Sequence, residues 1–420
     1  MKRRFIPLLI LVLLFSVTVS WAAPKKLEIV WMGWPKAKVM ELIADFEKEN
    51  PNIKIDIQLI PFSQLFQTLE VRLLSGGKPD VYIVDGPLTP SYAARGYLLP
   101  LDEYFSADEL GAFFDASLVT ARYNNKLYSI PYATSSAGLF YNRDIFKEYG
   151  VACPSKKADE RLTWEEVAKI AQQLTIDENQ DGQIDIWGLV IEQVDRPYQL
   201  LPLAQSNGAK AISADGLRTD GYITSPEFIE AATFYWRLFN DWKVSPQGLN
   251  DSAKSREYFG NGKAAMMLGC EWNLSRLETF NNLNFDLSPH PYFGKGQVVT
   301  PTGSWHVGVN SRTECKEEAI KFLKYITGQK AAIKWHKLFG HAPARTDVYE
   351  ALPEVFDTPM WQIFRNELQN TAVSRPVTPG YLEYELILRE SFNSIHFGAD
   401  PKTTLKKAAT RIDREMRKYK

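Results

Sequence analysis

The chain has little cysteine. Cys153, Cys270 and Cys315 are the only three among 420 residues. An odd count leaves at least one unpaired within the chain. The spacing carries neither a CxxC nor a metal-ligand pattern, which excludes a disulfide-dense scaffold and a zinc ribbon. One disulfide stays open as an expectation, with no basis for choosing its pair. Beyond the first 22 residues no apolar stretch reaches membrane length. There is no low-complexity tract and no repeat of solenoid length. No GxSxG elbow, zinc motif or phosphate loop appears, so the common signatures of hydrolases and nucleotide enzymes are missing. Charge is balanced too. Forty-nine basic and 50 acidic residues give a formal net charge of −1, which supplies no electrostatic attraction to nucleic acid or an anionic membrane.

What is present begins with the leader. Met1-Lys-Arg-Arg4 is basic, residues 5–19 are almost uninterruptedly apolar, and Ser20-Trp21-Ala22 puts small residues at the positions a signal peptidase reads. This is a secretory signal with a cut expected after Ala22. A membrane anchor is the alternative, but the run is short and a cleavage site follows it. No Cys follows the run, which argues against a lipid anchor. Removing Lys2, Arg3 and Arg4 leaves 46 basic against 50 acidic residues, near −4. The length is too great for one ordinary core and suits two lobes. Aromatics reach 13%, with 11 Trp and 19 Tyr, and most of them must be core.

Periodicity then gives the fold class. Leu27-Glu-Ile-Val-Trp-Met32 is a short strand that ends at Gly33. A helix follows, with Val39, Leu42, Ile43 and Phe46 on one face, stopped at Asn50-Pro51. Ile53, Ile55, Ile57 and Leu59 alternate as a strand, a second helix covers about 63–75, and Asp80 to Asp85 is a third strand. Alternating strands and helices predict an α/β fold with a parallel sheet covered on both faces. Ligands in such sheets sit beyond the carboxyl ends of the strands, which points at Gly33-Trp34 and Asp85-Gly86. Residues 126–132 read as a strand broken by proline and 137–141 as another strand. Thr163 and Glu166 form a capping box. Helical patterns recur at 227–242, 316–327 and 404–418.

Several segments, in order along nearly the whole mature chain, resemble the extracellular solute-binding proteins of family 1, which include the maltose- and trehalose-binding components of ABC importers. They are Gly77-Lys-Pro-Asp-Val81, the stretch from Tyr92 to Glu103, Tyr128-Ser-Ile-Pro-Tyr132 followed by Leu139-Phe-Tyr-Asn-Arg-Asp144, and Phe259-Gly-Asn-Gly-Lys-Ala-Ala-Met266. The resemblance implies a two-lobed periplasmic-binding-protein fold of type II, with a cleft between lobes joined by a multi-strand hinge. It implies a first lobe of residues 23–130 plus about 303–340, and a second of about 131–302 plus 341–420. The crossings are expected near 128–132, 302–308 and 339–344.

A sugar presents hydroxyls around an apolar ring face, so its cleft needs carboxylates, Arg and aromatic faces at loop positions. Trp34 and Asp85 end strands, with a core Trp and a turn cap as the plain alternatives. Phe62 and Gln64 open the second helix, where the family often has contacts; a staple and a surface amide compete. Glu271 and Trp272 close an apolar strand and offer an acceptor with a stacking platform. Gly303 and Trp305 lie on the segment returning to the first lobe, and Tyr132 lies at the first crossing. Arg375, in Arg375-Pro-Val-Thr-Pro-Gly-Tyr381, resembles a segment of disaccharide binders; a surface ion pair is the alternative. His306 and Arg345 read as structural. Asp177, Asn179, Asp181 and Asp185 match the start of a calcium loop, yet Gly188 stands at position twelve where an acid is needed, so a tight turn is the preferred reading.

The resulting expectation is an exported, monomeric binder without cofactor or metal. It captures a mono- or oligosaccharide by hinge closure and hands it to membrane permease subunits. A binder of a polyol phosphate or polyamine, or a secreted carbohydrate-active enzyme, is the alternative.

Overall fold

The structure is a computed structural model that describes residues 24–77, 79–192, 196–249 and 251–420; the expected signal segment lies outside them. In chain order the strands are β1 (Lys25–Met32), β2 (Ile53–Ile60), β3 (Val81–Asp85), β4 (Arg122–Tyr123), β5 (Lys126–Leu127), β6 (Ile130–Thr134), β7 (Ala137–Asn142), β8 (Trp187–Ile191), β9 (Ala264–Cys270), β10 (Phe285–Pro289), β11 (Thr300–Pro301), β12 (Ser304–Val309) and β13 (Ala372–Val373).

Two sheets organise the molecule. The first has the order β2-β1-β3-β12-β6 and the second β10-β7-β9-β8. β1 pairs in parallel with β2, from Lys25 against Ile53 to Met32 against Ile60, and with β3. Helix α1 (Lys36–Glu49) buries Val39, Leu42, Ile43 and Phe46, and its C-cap is Asn50. Helix α2 (Phe62–Leu74) buries Leu65, Leu69 and Leu73. These are the faces that a 3.6-residue period selects. The proline-broken segment divides into β5 and β6, with Tyr128 and Ser129 between them.

β12 is antiparallel to both of its neighbours, β3 and β6. It arrives after the chain has built the second sheet, and that return makes the fold two-lobed. The chain leaves the first sheet at Ser135 and Ser136, after β6. It comes back at Thr302 and Gly303 before β12. It leaves again beyond the helix Gln329–Phe339. Two further helices, Tyr381–His396 and Pro401–Met416, pack on each other and on Pro226–Asn240.

The crossings are bonded to one another. Gly303 N donates to Ser135 Oγ at 2.8 Å, Thr302 Oγ1 donates to Ser135 O at 2.9 Å, and Thr134 N donates to Ala342 O at 2.9 Å. A Cβ on Gly303 would lie 2.9 Å from Ser135 Oγ, so any other residue there would force the Ser135 hydroxyl to move and disturb this bond. The capping box is present: Thr163 N donates to Glu166 Oε2 at 2.7 Å and Glu166 N to Thr163 Oγ1 at 3.2 Å. All three thiols are free, with Cys270 buried and Cys153 exposed. No helix among the described residues is long and apolar enough to cross a membrane.

Candidate ligand-binding cleft

Where β1 and β2 end together, Gly33 N donates to Ile60 O at 2.7 Å. A Cβ there would sit 3.2 Å from the backbone of Ile60 and Pro61. The tight approach turns the chain outward and leaves Trp34 and Phe62 at the carboxyl edge of the sheet. β3 ends at the same edge with Asp85, and β12 places Trp305 directly opposite Asp85. From the second sheet, β9 runs into a turn that carries Trp272, and β8 leads to Arg196 and Tyr198. These groups line a cavity of about 280 Å³, just below the range of roughly 300–1,000 Å³ common for small-molecule sites.

Seven of the residues singled out from sequence line this cavity: Trp34, Phe62, Asp85, Trp272, Gly303, Trp305 and Arg375. Three stand elsewhere. Gln64 is exposed on the first turn of α2, two residues after Phe62, and is not among the lining residues. Tyr132 is buried in the first lobe, 5.0 Å from both Trp31 and Trp335 between ring centroids. Glu271 is fully buried and accepts from Ser136 N at 3.0 Å and Ala342 N at 3.4 Å. Glu271 and Trp272 both stand in the tight helical turn Glu271–Asn273 that follows β9, where successive side chains point about 120° apart. Trp272 therefore faces the cavity while Glu271 turns to the backbone of two interlobe crossings. Burial pushes the Glu271 carboxyl up to about 8.

The aromatic groups are braced. Trp305 is stacked parallel to Phe66 at 6.3 Å and edge-on to Phe62 at 6.0 Å. Trp34 packs edge-on against Trp335 at 5.7 Å and His341 at 4.7 Å. Trp272 donates its indole N–H to Glu192 Oε1 at 2.9 Å. Glu192 is fully buried and also accepts from Asn273 Nδ2 at 2.7 Å. Such support fixes ring orientation, as a stacking platform requires.

The charged groups are arranged asymmetrically. Arg375 holds Asp85 with both terminal nitrogens, Nη1 donating to Oδ2 at 2.9 Å and Nη2 to Oδ1. Both side chains are buried, at 6% and 7% exposure, so the bidentate pair is shielded from water. Burial opposes the charge on Arg375, but Asp85, Tyr381 and Glu385 outweigh it and hold the guanidinium protonated. Arg196 pairs with Glu385 at 2.9 Å and reaches Asp85 at 3.5 Å. It also lies 5.6 Å from the rings of Phe62 and Tyr198. His341 is held down to about 3 by burial, then by Arg276 and His336, and stays neutral.

Elsewhere, His306 is buried with Nδ1 2.8 Å from Ser129 Oγ, and Arg345 pairs with Asp347 at 2.6 Å. In the 177–185 loop the oxygens accept backbone N–H groups. Asp177 Oδ2 accepts from Gly182 N at 2.8 Å, Asn179 Oδ1 from Asp181 N at 2.9 Å, and Asp185 Oδ2 from Glu178 N at 2.9 Å. This is the bonding of consecutive Asx turns. Among the described residues no group of three or more His, Cys, Asp or Glu is placed to hold a metal ion.

A two-lobed α/β fold is also what known proteins share with this chain. Residues 34–333 match the family described as bacterial extracellular solute-binding protein. The chain belongs to that family. As a solute-binding protein it resembles a chain of Brucella abortus (strain 2308) named for a binding role, 26% identical over 377 residues, 89% of this chain and 88% of that one. The multiple sugar-binding protein of Streptococcus mutans serotype c is 24% identical over 332 residues, 75% of this chain and 73% of that one. An ABC transporter solute-binding protein from Thermotoga lettingae, bound with α-D-tagatose, superposes with a TM-score of 0.79 at 24% identity, over 93% of this chain and all of that one. At that identity the likeness speaks for the fold.

Sequence reasoning missed Arg196, Tyr198, Arg276 and His341 among the lining residues of this solute-binding protein. Arg196 and Tyr198 lie just beyond β8, so the strand-end rule reaches them once Trp187–Ile191 is read as a strand. Arg276 stands four residues after Trp272, the spacing that puts two side chains on one face of a helical turn.

Proposed function

We propose that this solute-binding protein captures a mono- or short oligosaccharide in the cleft and delivers it to the permease of an ABC importer. The observation that carries the reading is the lining itself: Trp34, Phe62, Trp272 and Trp305 beside hydroxyl and guanidinium groups of Thr134, Ser135 and Arg196. Aromatic faces cover the apolar face of a pyranose, and the polar groups bond its hydroxyls. A polyamine would need several open carboxylates, whereas the one carboxylate in the lining among the described residues, Asp85, is ion-paired. A glycosidase needs two carboxylates flanking the bond it breaks, and this supports a binder over an enzyme. The name of the Streptococcus relative points the same way.

The leader supports export with a cut after Ala22, a periplasmic or otherwise extracytoplasmic site, and no lipid anchor. The mature protein acts as a monomer, with no role for nucleic acid. Ligand that touches both sheets shifts the hinge toward closure. The test is calorimetry and Trp fluorescence on the mature protein with maltose, trehalose, glucose, glycerol 3-phosphate and putrescine. Saturable heat with a sugar and no product is expected. Turnover, or binding of putrescine alone, overturns the reading.

A further inference from the structure

The charges of the cleft do not balance. Among the described residues, Arg196, Arg276 and Arg375 line it against a single carboxylate, Asp85. Arg375 is consumed by Asp85, and Arg196 by Glu385 and Asp85. The Arg276 guanidinium has no hydrogen bond or ion pair among the described residues, although the residue is only partly exposed; its backbone carbonyl accepts from Thr279. Its neighbours do not compensate it. His341 is neutral, and Arg256 is directed to Asn273 Oδ1 at 3.2 Å and lies 3.9 Å from Glu192. Glu192 lies behind Trp272 and spends its oxygens on Trp272 Nε1, Asn273 Nδ2 and Cys270 N. Glu271 is turned to the crossings. Burial, and then Arg256, act against the charge on Arg276. A guanidinium withdrawn from water without a partner is unfavourable, and five N–H donors in a planar fork match a carboxylate or phosphate.

Resting on the sugar-binding reading, we infer that Arg276 forms an anion subsite, so that the ligand is a sugar carrying an anionic substituent, such as a uronic acid or a sugar phosphate. Position supports it. Arg276 lies one helical turn from Trp272, in the segment Leu274–Leu277 that directly follows the turn Glu271–Asn273. A pyranose stacked on the Trp272 indole would present its exocyclic group to the guanidinium. The cleft is also donor-rich. Among the described residues its one carboxylate, Asp85, is already occupied, so a ligand rich in acceptors is complementary to it where a neutral polyol is less so.

The test is calorimetric titration of the mature full chain with glucuronate, galacturonate, digalacturonate and glucose 6-phosphate, beside maltose and cellobiose. The variants are Arg276→Gln and Arg276→Lys, with circular dichroism melts to verify folding. An anionic sugar is expected to bind tighter than its neutral counterpart. Arg276→Gln is expected to weaken that binding about 10- to 100-fold and neutral-sugar binding several-fold less. Arg276→Lys restores part of the loss, and added salt weakens the anionic ligand alone. The uronates and the phosphate arm distinguish which anion the fork holds. Binding of neutral sugars with no preference for anionic ones overturns the subsite and leaves the sugar reading intact. Equal weakening of both classes in Arg276→Gln also overturns it. Failure of every sugar to bind removes the sugar reading, and the subsite with it.

Discussion

The two walls of the cleft differ in chemistry. The wall raised on the first sheet is aromatic, with Trp34, Phe62 and Trp305 around one carboxylate, Asp85. The wall raised on the second sheet brings Arg196 and Arg276 beside Tyr198 and Trp272. One wall offers ring faces that are indifferent to ligand charge; the other offers donors that are not. Asp85 joins them, because Arg375 and Arg196 both reach it from outside the first sheet. Grip and selection are thus divided between lobes. On the proposed reading a ligand must meet both walls to satisfy both, and that would convert binding energy into closure.

Removing the joint should have the largest effect. Asp85→Ala leaves two guanidiniums facing one another, and breaking a buried pair from one side costs about 3–5 kcal/mol. Urea melts should record that loss, and small-angle scattering should report a more open molecule. In a double-mutant cycle with Arg375→Leu much of the loss should be recovered; purely additive losses would separate the walls and refute the joint.

Next comes the place where the walls hinge. The Glu271 carboxyl releases its proton near 8 when folded and near 4.5 when unfolded. Between those values the native state holds one more proton than the unfolded state, so this group makes stability fall as pH rises through the window. The effect is on the order of a few kcal/mol. His290, His306 and His341 act oppositely. Each is held down to about 3, burial being the first cause. Their contribution is present above about 6.5 and is lost as pH falls from there toward 3. Melts across this range should flatten on the alkaline side in Glu271→Gln. An unchanged slope would remove Glu271 from the hinge account.

The ring faces come third. Trp272→Ala and Trp305→Ala should each weaken sugar binding about 10- to 100-fold. Trp305→Ala should act equally on neutral and anionic sugars, in contrast to Arg276→Gln. If Trp305→Ala discriminates by charge, the division of labour between walls is wrong.

This division was partly legible in the sequence. Trp34 and Asp85 follow from one rule, that ligands sit beyond parallel strand ends, applied to strands whose period is plain. Trp305 and Arg375 came from segments that resemble the family. The second wall was harder to read. β8 is five residues long and follows a run of Asp, Asn and Gly, so its strand signal was hidden behind a turn and Arg196 went with it. Glu271 and Trp272 are adjacent, and no sequence pattern says which of two neighbours at a strand end faces the cleft. Tyr132 belongs to a buried trio with Trp31 and Trp335 whose members are far apart in sequence. Arg276 was in reach from its spacing to Trp272. Its interest, however, comes from a side chain without a partner among the described residues, which only a structure reveals.

The smallest expected effect lies away from both walls, at the 177–185 loop. A calcium site needs six to eight oxygens free to face one point. Here Asp177, Asn179, Asp181 and Asp185 already accept backbone N–H groups of their own turn, and position twelve is Gly188. Folding the loop therefore requires no cation, and binding one would first break these bonds. A chelator should leave the melting temperature unchanged, and added calcium should not raise it. A rise with calcium that Asp181→Ala abolishes would show that the turn opens to take the ion, and the melt would then have to be controlled for calcium before either wall is compared.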